Sequence, residues 1–207
     1  ERLSVENDLR HAIRHNELEL HYQPKLHLKS GSIHSVEALV RWNHPVRGLV
    51  SPSQFVPMAE EIGLINELGE WLINKACLQA KRWNEDGRPP IRIAINLSPI
   101  QIRGNSLVQM IRNALLTYRL APSQLEVEIT ETVLLEDTNR VLRTLDGIRN
   151  LGVKVALDDF GTGYSSLSYQ RHYKFDKIKI DKSFVDEIGE RSDGLAIISA
   201  VIALAHN

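Results

Sequence analysis

Asp158 and Asp159 stand side by side after an apolar run and just before two glycines, Gly161 and Gly163. Adjacent carboxylates at the end of a buried strand repel each other and lose hydration, so a lysine, an arginine or a metal ion must compensate them. Glu37, Asn96, Glu128 and Lys179 fall on the polar faces of other strand-like runs. Carboxylates with one amide oxygen form a hard, all-oxygen set that suits Mg²⁺ or Mn²⁺, with Ca²⁺ as an alternative. Histidine and cysteine are absent from the set, which argues against zinc. An aspartate pair can bridge two ions roughly 3.5–4 Å apart, the arrangement used for metal-assisted phosphodiester hydrolysis.

Strand periodicity is what brings these residues together. Side chains alternate faces along a strand. In 91–98, Ile91, Ile93, Ile95 and Leu97 lie opposite Arg92, Ala94, Asn96 and Ser98. In 125–130, Leu125, Val127 and Ile129 lie opposite Glu126, Glu128 and Thr130. Val36, Ala38, Val40 and Trp42 lie opposite Glu37, Leu39 and Arg41, and Ile178 and Ile180 lie opposite Lys177, Lys179 and Asp181. In the first strand, Leu18, Leu20 and Tyr22 lie opposite Glu19, His21 and Gln23. Each strand thus has an apolar face for helices and a polar face that is most polar toward its C-terminal end. Four carboxylates (Glu37, Glu128, Asp158, Asp159) then converge against two cations, Lys179 and Arg41. A divalent ion would remove that excess.

The intervening segments supply the scaffold. Ser4 caps a first helix, and strands at 18–28 and 33–42 follow, joined by a tight Lys29-Ser30-Gly31 turn that makes them antiparallel. A loop containing Pro45, Gly48, Pro52 and Pro57 leads to one long helix ending near Trp83. From residue 91 strands and helices alternate: strand 91–97, helix 107–118, strand 125–130, helix 139–150, strand 153–159, a helix from Ser165, strand 177–181 and an apolar helix 192–206. Such alternation predicts a parallel sheet covered by helices, either a barrel or an open doubly wound sheet. No dinucleotide-type glycine fingerprint and no Walker loop is present, which favours the barrel.

Composition narrows the partners. The 207 residues carry a formal net charge of -1, so no basic field for duplex nucleic acid exists. A single cysteine, Cys77, fits a reducing compartment, and no apolar run reaches membrane-spanning length. The expected localisation is cytoplasmic, with tethering to the inner membrane through other segments as the variant of that reading. Trp42-Asn43-His44-Pro45 reads as a turn with a packed tryptophan, and the eight histidines as surface and fold.

Six ordered blocks carry a family resemblance: Tyr22-Gln23-Pro24, Glu37-Ala38-Leu39-Val40-Arg41-Trp42, Asn96-Leu97-Ser98, Glu128-Ile129-Thr130-Glu131, Asp158-Asp159-Phe160-Gly161-Thr162-Gly163 and Lys177-Ile178-Lys179-Ile180-Asp181. In order and spacing they resemble the EAL-domain cyclic-di-GMP phosphodiesterases over almost the whole chain. The resemblance implies an α/β fold, a modified (β/α)₈ TIM-type barrel with an antiparallel first strand. It implies bacterial second-messenger signalling by hydrolysis of cyclic di-GMP to linear pGpG. By the same resemblance Glu37, Asn96, Glu128 and Asp158 hold one Mg²⁺ or Mn²⁺, and Asp158 with Asp159 contacts a second, with Ca²⁺ inhibitory. Glu37, Asp158, Asp159 and Lys179 form the catalytic set, with Lys179 contacting the nucleophilic water. Gln23, Leu39 and Arg41 line the ligand, and Glu131 anchors the loop 160–167 after the aspartates, which in the family couples dimerisation to metal binding. A homodimer and attached sensor or GGDEF domains are the expected partners. The alternative reading is a catalytically inactive cyclic-di-GMP receptor.

The chain departs from the family pattern at its end. About six of eight barrel strands are present, so residues 1–207 read as an EAL domain lacking its C-terminal part. The family strand ending in Ala-Glu-Gly-Val-Glu is absent, and with it a ligand of the second ion. Beginning at Glu1, the chain looks cut from something longer, and raw barrel edges would aggregate unless a partner covered them. Gln170 and Lys174 replace the family's usual leucine and proline, away from the chemistry.

Overall fold

The computed structural model describes residues 2–85, 87, 89–135, 138–161, 173, 175–186, 198–199 and 201–203. The sheet begins with an antiparallel pair, β1 (Leu18–His27) and β2 (Ser32–His44). It continues in parallel through β4 (Arg92–Asn96), β5 (Leu125–Thr130), β6 (Lys154–Phe160) and β7 (Lys177–Ile180). A short β3 (Gly48–Val50) folds back on the end of β2. This is the α/β, barrel-type architecture with an antiparallel first strand that the sequence implies, with six strands along the path among the described residues. Curvature is evident in the side chains: Lys25 of β1 reaches Glu128 of β5, and Lys179 of β7 reaches Glu37 of β2.

The outward faces of the strands make the core. Val36, Ala38, Ile93, Ile95, Val127, Ile129, Val155 and Leu157 are buried together with residues of the covering helices. Those helices are α3 (Ile65–Glu85), α5 (Leu107–Tyr118) and α6 (Thr138–Asn150). Leu72, Ile73, Ala76, Cys77 and Ala80 of α3 recur at helical spacing and are buried, each large aliphatic contributing about 1.5–3 kcal/mol. Helix α5 ends on Arg119 in a left-handed conformation, φ 53°, and Gly152 closes the turn after α6 at φ 89°. A second cluster joins α1 (Arg2–Arg14), β2 and α2 (Pro52–Glu61) around Trp42, Phe55 and Leu9.

The segment after β2 differs from the expected loop and single long helix. Residues 52–85 form two helices, and Pro52 and Pro57 lie within the first. Pro52 takes the first helical position, where a missing N–H costs nothing, and Gly63 at φ 78° breaks the path before α3. Trp42 is packed as expected, but within β2, its indole N–H donating to Glu17 at 3.1 Å. Two short helices were not read from the sequence: α4 (Pro99–Arg103), and α7 (Lys182–Asp186) directly after β7. The helix from Ser165, loop positions 162–167, Gln170, Lys174 and most of the final helix lie outside the described residues. Positions 198–199 and 201–203 are helical, and Val201 is buried in the main core.

Candidate active site

Parallel register sets the site in layers. Asn96 pairs with Glu128, Glu128 with Ala156, and Thr130 with Asp158. Glu37 lies level with Ala94, one inward position below Asn96. Inward-pointing carboxylates near the C-terminal ends of β5 and β6 therefore meet Glu37, which comes from the middle of β2. Oxygens of Glu37, Glu128 and Asp158 all lie within 4.8 Å of one another. The Asn96 amide donates to Glu37 Oε1 at 2.8 Å, which leaves the Asn96 carbonyl oxygen as a further hard donor. Lys179 Nζ donates to Asp158 Oδ2 at 2.6 Å, to Glu37 Oε2 at 3.1 Å and to Glu128 Oε2.

Burial and charge oppose each other here. Glu128 is 0% exposed, and burial raises its pKa more than its two lysine partners lower it. Burial also pushes Glu37 up, but the Asn96 amide and the Lys179 ammonium outweigh it and hold the carboxyl below its usual range. Burial alone would lower Lys179, yet its bonds to Asp158 and Glu128 carry it well above the ordinary lysine value, so it stays an ammonium.

Three features differ from the sequence reading. Lys25 is a member of the cluster: its ammonium bonds Glu128 Oε1 and lies 3.5 Å from Glu37 Oε2. The signal was present, since Lys25 follows His21 and Gln23 on the inward face of β1. Arg41 is not among the cations in contact with the cluster, and its guanidinium donates to the Val40 carbonyl at 2.8 Å. Asp159 does not join the three converging carboxylates. Its backbone is left-handed, φ 52°, and the residue is exposed beside the cluster. Its pKa is raised by partial burial and by the charges of Asp158 and Asp181. Compensation thus comes from two lysines against three carboxylates, and the close set keeps one negative charge in excess. A divalent ion fits these donors, which are all oxygen and converge from four strands.

The remaining candidates surround this centre. Gln23 faces Glu37 across the antiparallel pair. Leu39, Asn96, Thr130 and Asp159 line a cavity of about 510 Å³ that opens beside the carboxylates. Its other wall, from α2, α3 and α4, is largely apolar but includes Glu60, Ser98 and Gln101. Ser98 Oγ donates to Glu60, and its N–H donates to Gln101 Oε1 at 3.0 Å. The Ser98-x-x-Gln101 capping box is legible in the sequence, although its place beside the site is not. Glu131 is buried, and one of its carboxylate oxygens accepts the Gly161 N–H at 3.4 Å, at the start of the turn after the aspartates.

Comparison with known proteins agrees with this geometry. The EAL domain family model matches residues 6–207. The bifunctional diguanylate cyclase/cyclic di-GMP phosphodiesterase MucR of Pseudomonas aeruginosa is 44% identical over 204 residues, 99% of this chain and 30% of that protein. The cyclic di-GMP phosphodiesterase NbdA of the same organism is 41% identical over 203 residues, 98% of this chain and 26% of that protein. The solved P. aeruginosa MucR phosphodiesterase, in complex with c-di-GMP, superposes with a TM-score of 0.92 at 43% identity, covering 98% of this chain and 82% of that one. The chain spans between 24% and 30% of the length of these and other curated relatives. With the family model covering all but its first five residues, the chain belongs to the EAL-domain family.

Proposed function

We propose that the chain hydrolyses cyclic di-GMP to linear pGpG in bacterial signalling, with Mg²⁺ or Mn²⁺ as the metal. The observation that carries this reading is the convergence of Glu37, Glu128 and Asp158 oxygens within 4.8 Å of one another, from three strands of the sheet. Glu37, Asn96, Glu128 and Asp158 would hold one ion, and Asp158 with Asp159 would contact a second. Bound there, divalent ions would supply activation of a water and charge stabilisation at the phosphoryl oxygens. Lys179, fixed as an ammonium by Asp158 and Glu128, orients the attacking water and stabilises negative charge; it does not act as the base. Arg41 offers a guanidinium fork to a phosphodiester, and Gln23 and Leu39 contact the dinucleotide. The 510 Å³ cavity beside the carboxylates has the size and apolar lining for a nucleobase. Glu131 holds the turn that follows the aspartates through Gly161.

The relatives' greater length supports a larger protein in which this unit is joined to sensor or GGDEF domains. We place it in the cytoplasm and as a homodimer. The test is incubation with cyclic di-GMP and Mg²⁺ or Mn²⁺, with products separated by anion exchange. The expected product is pGpG, and Glu37→Ala should lower turnover by at least about 100-fold. Binding of cyclic di-GMP without product under either ion would replace this reading with that of a receptor.

A further inference from the structure

We propose that Lys25 makes divalent-ion binding at the Glu37–Glu128–Asp158 cluster conditional on a phosphodiester arriving with it. The inference rests on the metal-dependent reading above and concerns a residue to which that reading gives no role. Lys25 enters from β1 beneath the cluster, bonded to Glu128 Oε1, 3.5 Å from Glu37 Oε2 and 4.0 Å from Glu126 Oε1. Lys179 takes the other Glu128 oxygen and both neighbouring carboxylates. Both oxygens of a fully buried carboxylate therefore face ammonium groups.

The charge count follows from these contacts. Three carboxylates and two lysines sum to one negative charge. Lys177 and Arg92 pair with the buried Glu126 in the layer below, which carries one positive charge. Asp159, exposed at the cavity beside the cluster, carries one negative charge that offsets this layer, so the sum stays at one negative charge. Adding the first divalent ion, the one that Glu37, Asn96, Glu128 and Asp158 would hold, turns the cluster from one negative to one positive charge in a partly desolvated site, where like charges are costly. Adding the ion together with one phosphodiester monoanion brings the sum to zero. Ion and phosphodiester then favour each other's binding, and the coupling is reciprocal. With an uncharged side chain at position 25 the empty cluster would carry two negative charges. A divalent ion alone would balance them, and the phosphodiester would no longer be needed. Lys25 thus keeps the site from filling with metal before the substrate-like anion is present, acting through Glu128 as a positioning and charge-setting residue.

The test measures Mn²⁺ binding by electron paramagnetic resonance of the free ion at about pH 8, where the carboxylates are ionised. It uses the full-length protein with and without a slowly hydrolysed phosphorothioate analogue of cyclic di-GMP, and Glu37→Ala supplies the background from other sites. Wild type should bind Mn²⁺ about tenfold or more tighter when the analogue is present. Lys25→Met should bind Mn²⁺ alone about tenfold tighter than wild type does, and lose most of the analogue's effect. Lys25→Gln, which keeps a hydrogen-bond donor but no charge, should behave as Lys25→Met, and carries the comparison if the methionine variant does not fold. Lys25→Arg should behave as wild type. Uncharged variants that keep both the wild-type affinity for Mn²⁺ alone and the wild-type coupling would overturn the role of Lys25 and leave the hydrolase reading intact. Wild type indistinguishable from Glu37→Ala, with or without the analogue, would overturn both.

Discussion

Gly69 lies inside α3, where alanine would ordinarily stabilise the helix by about 1 kcal/mol. In this fold the expected sign is reversed. A Cβ at position 69 would sit 1.7 Å from Gln101 Nε2 and 2.9 Å from Gln101 Cδ. Gln101 is only 4% exposed, and its Oε1 accepts the Ser98 N–H that caps α4, so its amide cannot move without breaking the cap. Losing that bond costs about 1 kcal/mol, and the overpacking about 1–3 kcal/mol more. Set against the helical gain, Gly69→Ala should destabilise the protein by about 1–3 kcal/mol. Urea denaturation measures this as a lower midpoint with unchanged slope. The decisive comparison is the same substitution in a Gln101→Ala background, where the overlap is gone and Gly69→Ala should recover its gain of about 1 kcal/mol. Since Gly69, Ser98 and Gln101 all line the cavity beside Asn96, the single variant should also weaken ligand binding. A Gly69→Ala protein as stable as wild type, or the same cost in both backgrounds, would refute the reasoning.

Two further outcomes follow from groups remote from the site. Cys77 is fully buried in α3, and burial pushes its thiol up to about 12, so Ellman's reagent should find no reactive thiol in this unit until denaturant is added; rapid native labelling would contradict the packing. Burial raises the Asp176 carboxyl, but its bonds to Lys154 at 2.6 Å and to the Val155 N–H at 3.0 Å outweigh that and lower its pKa. Asp176→Asn should therefore cost about 1 kcal/mol at neutral pH. A group depressed in the folded state stabilises fully above its unfolded value of about 3.9, so the gap to wild type should close as pH falls through the native value. A gap that persisted unchanged in acid would show the loss to be one of shape rather than charge.

Strand alternation made much of the site legible. Glu37, Glu128, Asp158 and Lys179 occupy inward positions, and parallel pairing brings those positions level, so parity alone carried them to one place. Parity gives the face a side chain leaves from, not where its charged end goes. Arg41 leaves the predicted face of β2 and then turns to the Val40 carbonyl. Asp159 departs because the chain leaves strand geometry there, at φ 52°. Lys25 lies one inward step past Gln23, on a strand whose own pattern reads as mostly exposed. The cavity wall was unreadable for another reason: Glu60, Ser98 and Gln101 come from α2, the β4–α4 junction and α4, and only tertiary packing makes them neighbours.

The position of Lys25 also explains how a buried carboxylate such as Glu128 is tolerated. An isolated ion of that kind would be lost to protonation or would destabilise the fold by several kcal/mol. Here the two oxygens are satisfied by separate ammonium groups, one from β1 and one from β7, strands at opposite ends of the described sheet. The same contacts therefore tie the first strand to the last through the middle of the sheet. Removing Lys25 would free a charge for metal binding and loosen one of these ties, and removing Lys179 would loosen three. The resting stability of the sheet and the readiness of the site for a divalent ion draw on the same carboxylates. Any change that favours the ion by deleting a lysine should therefore weaken the fold without the ion and be compensated by stabilisation when it binds.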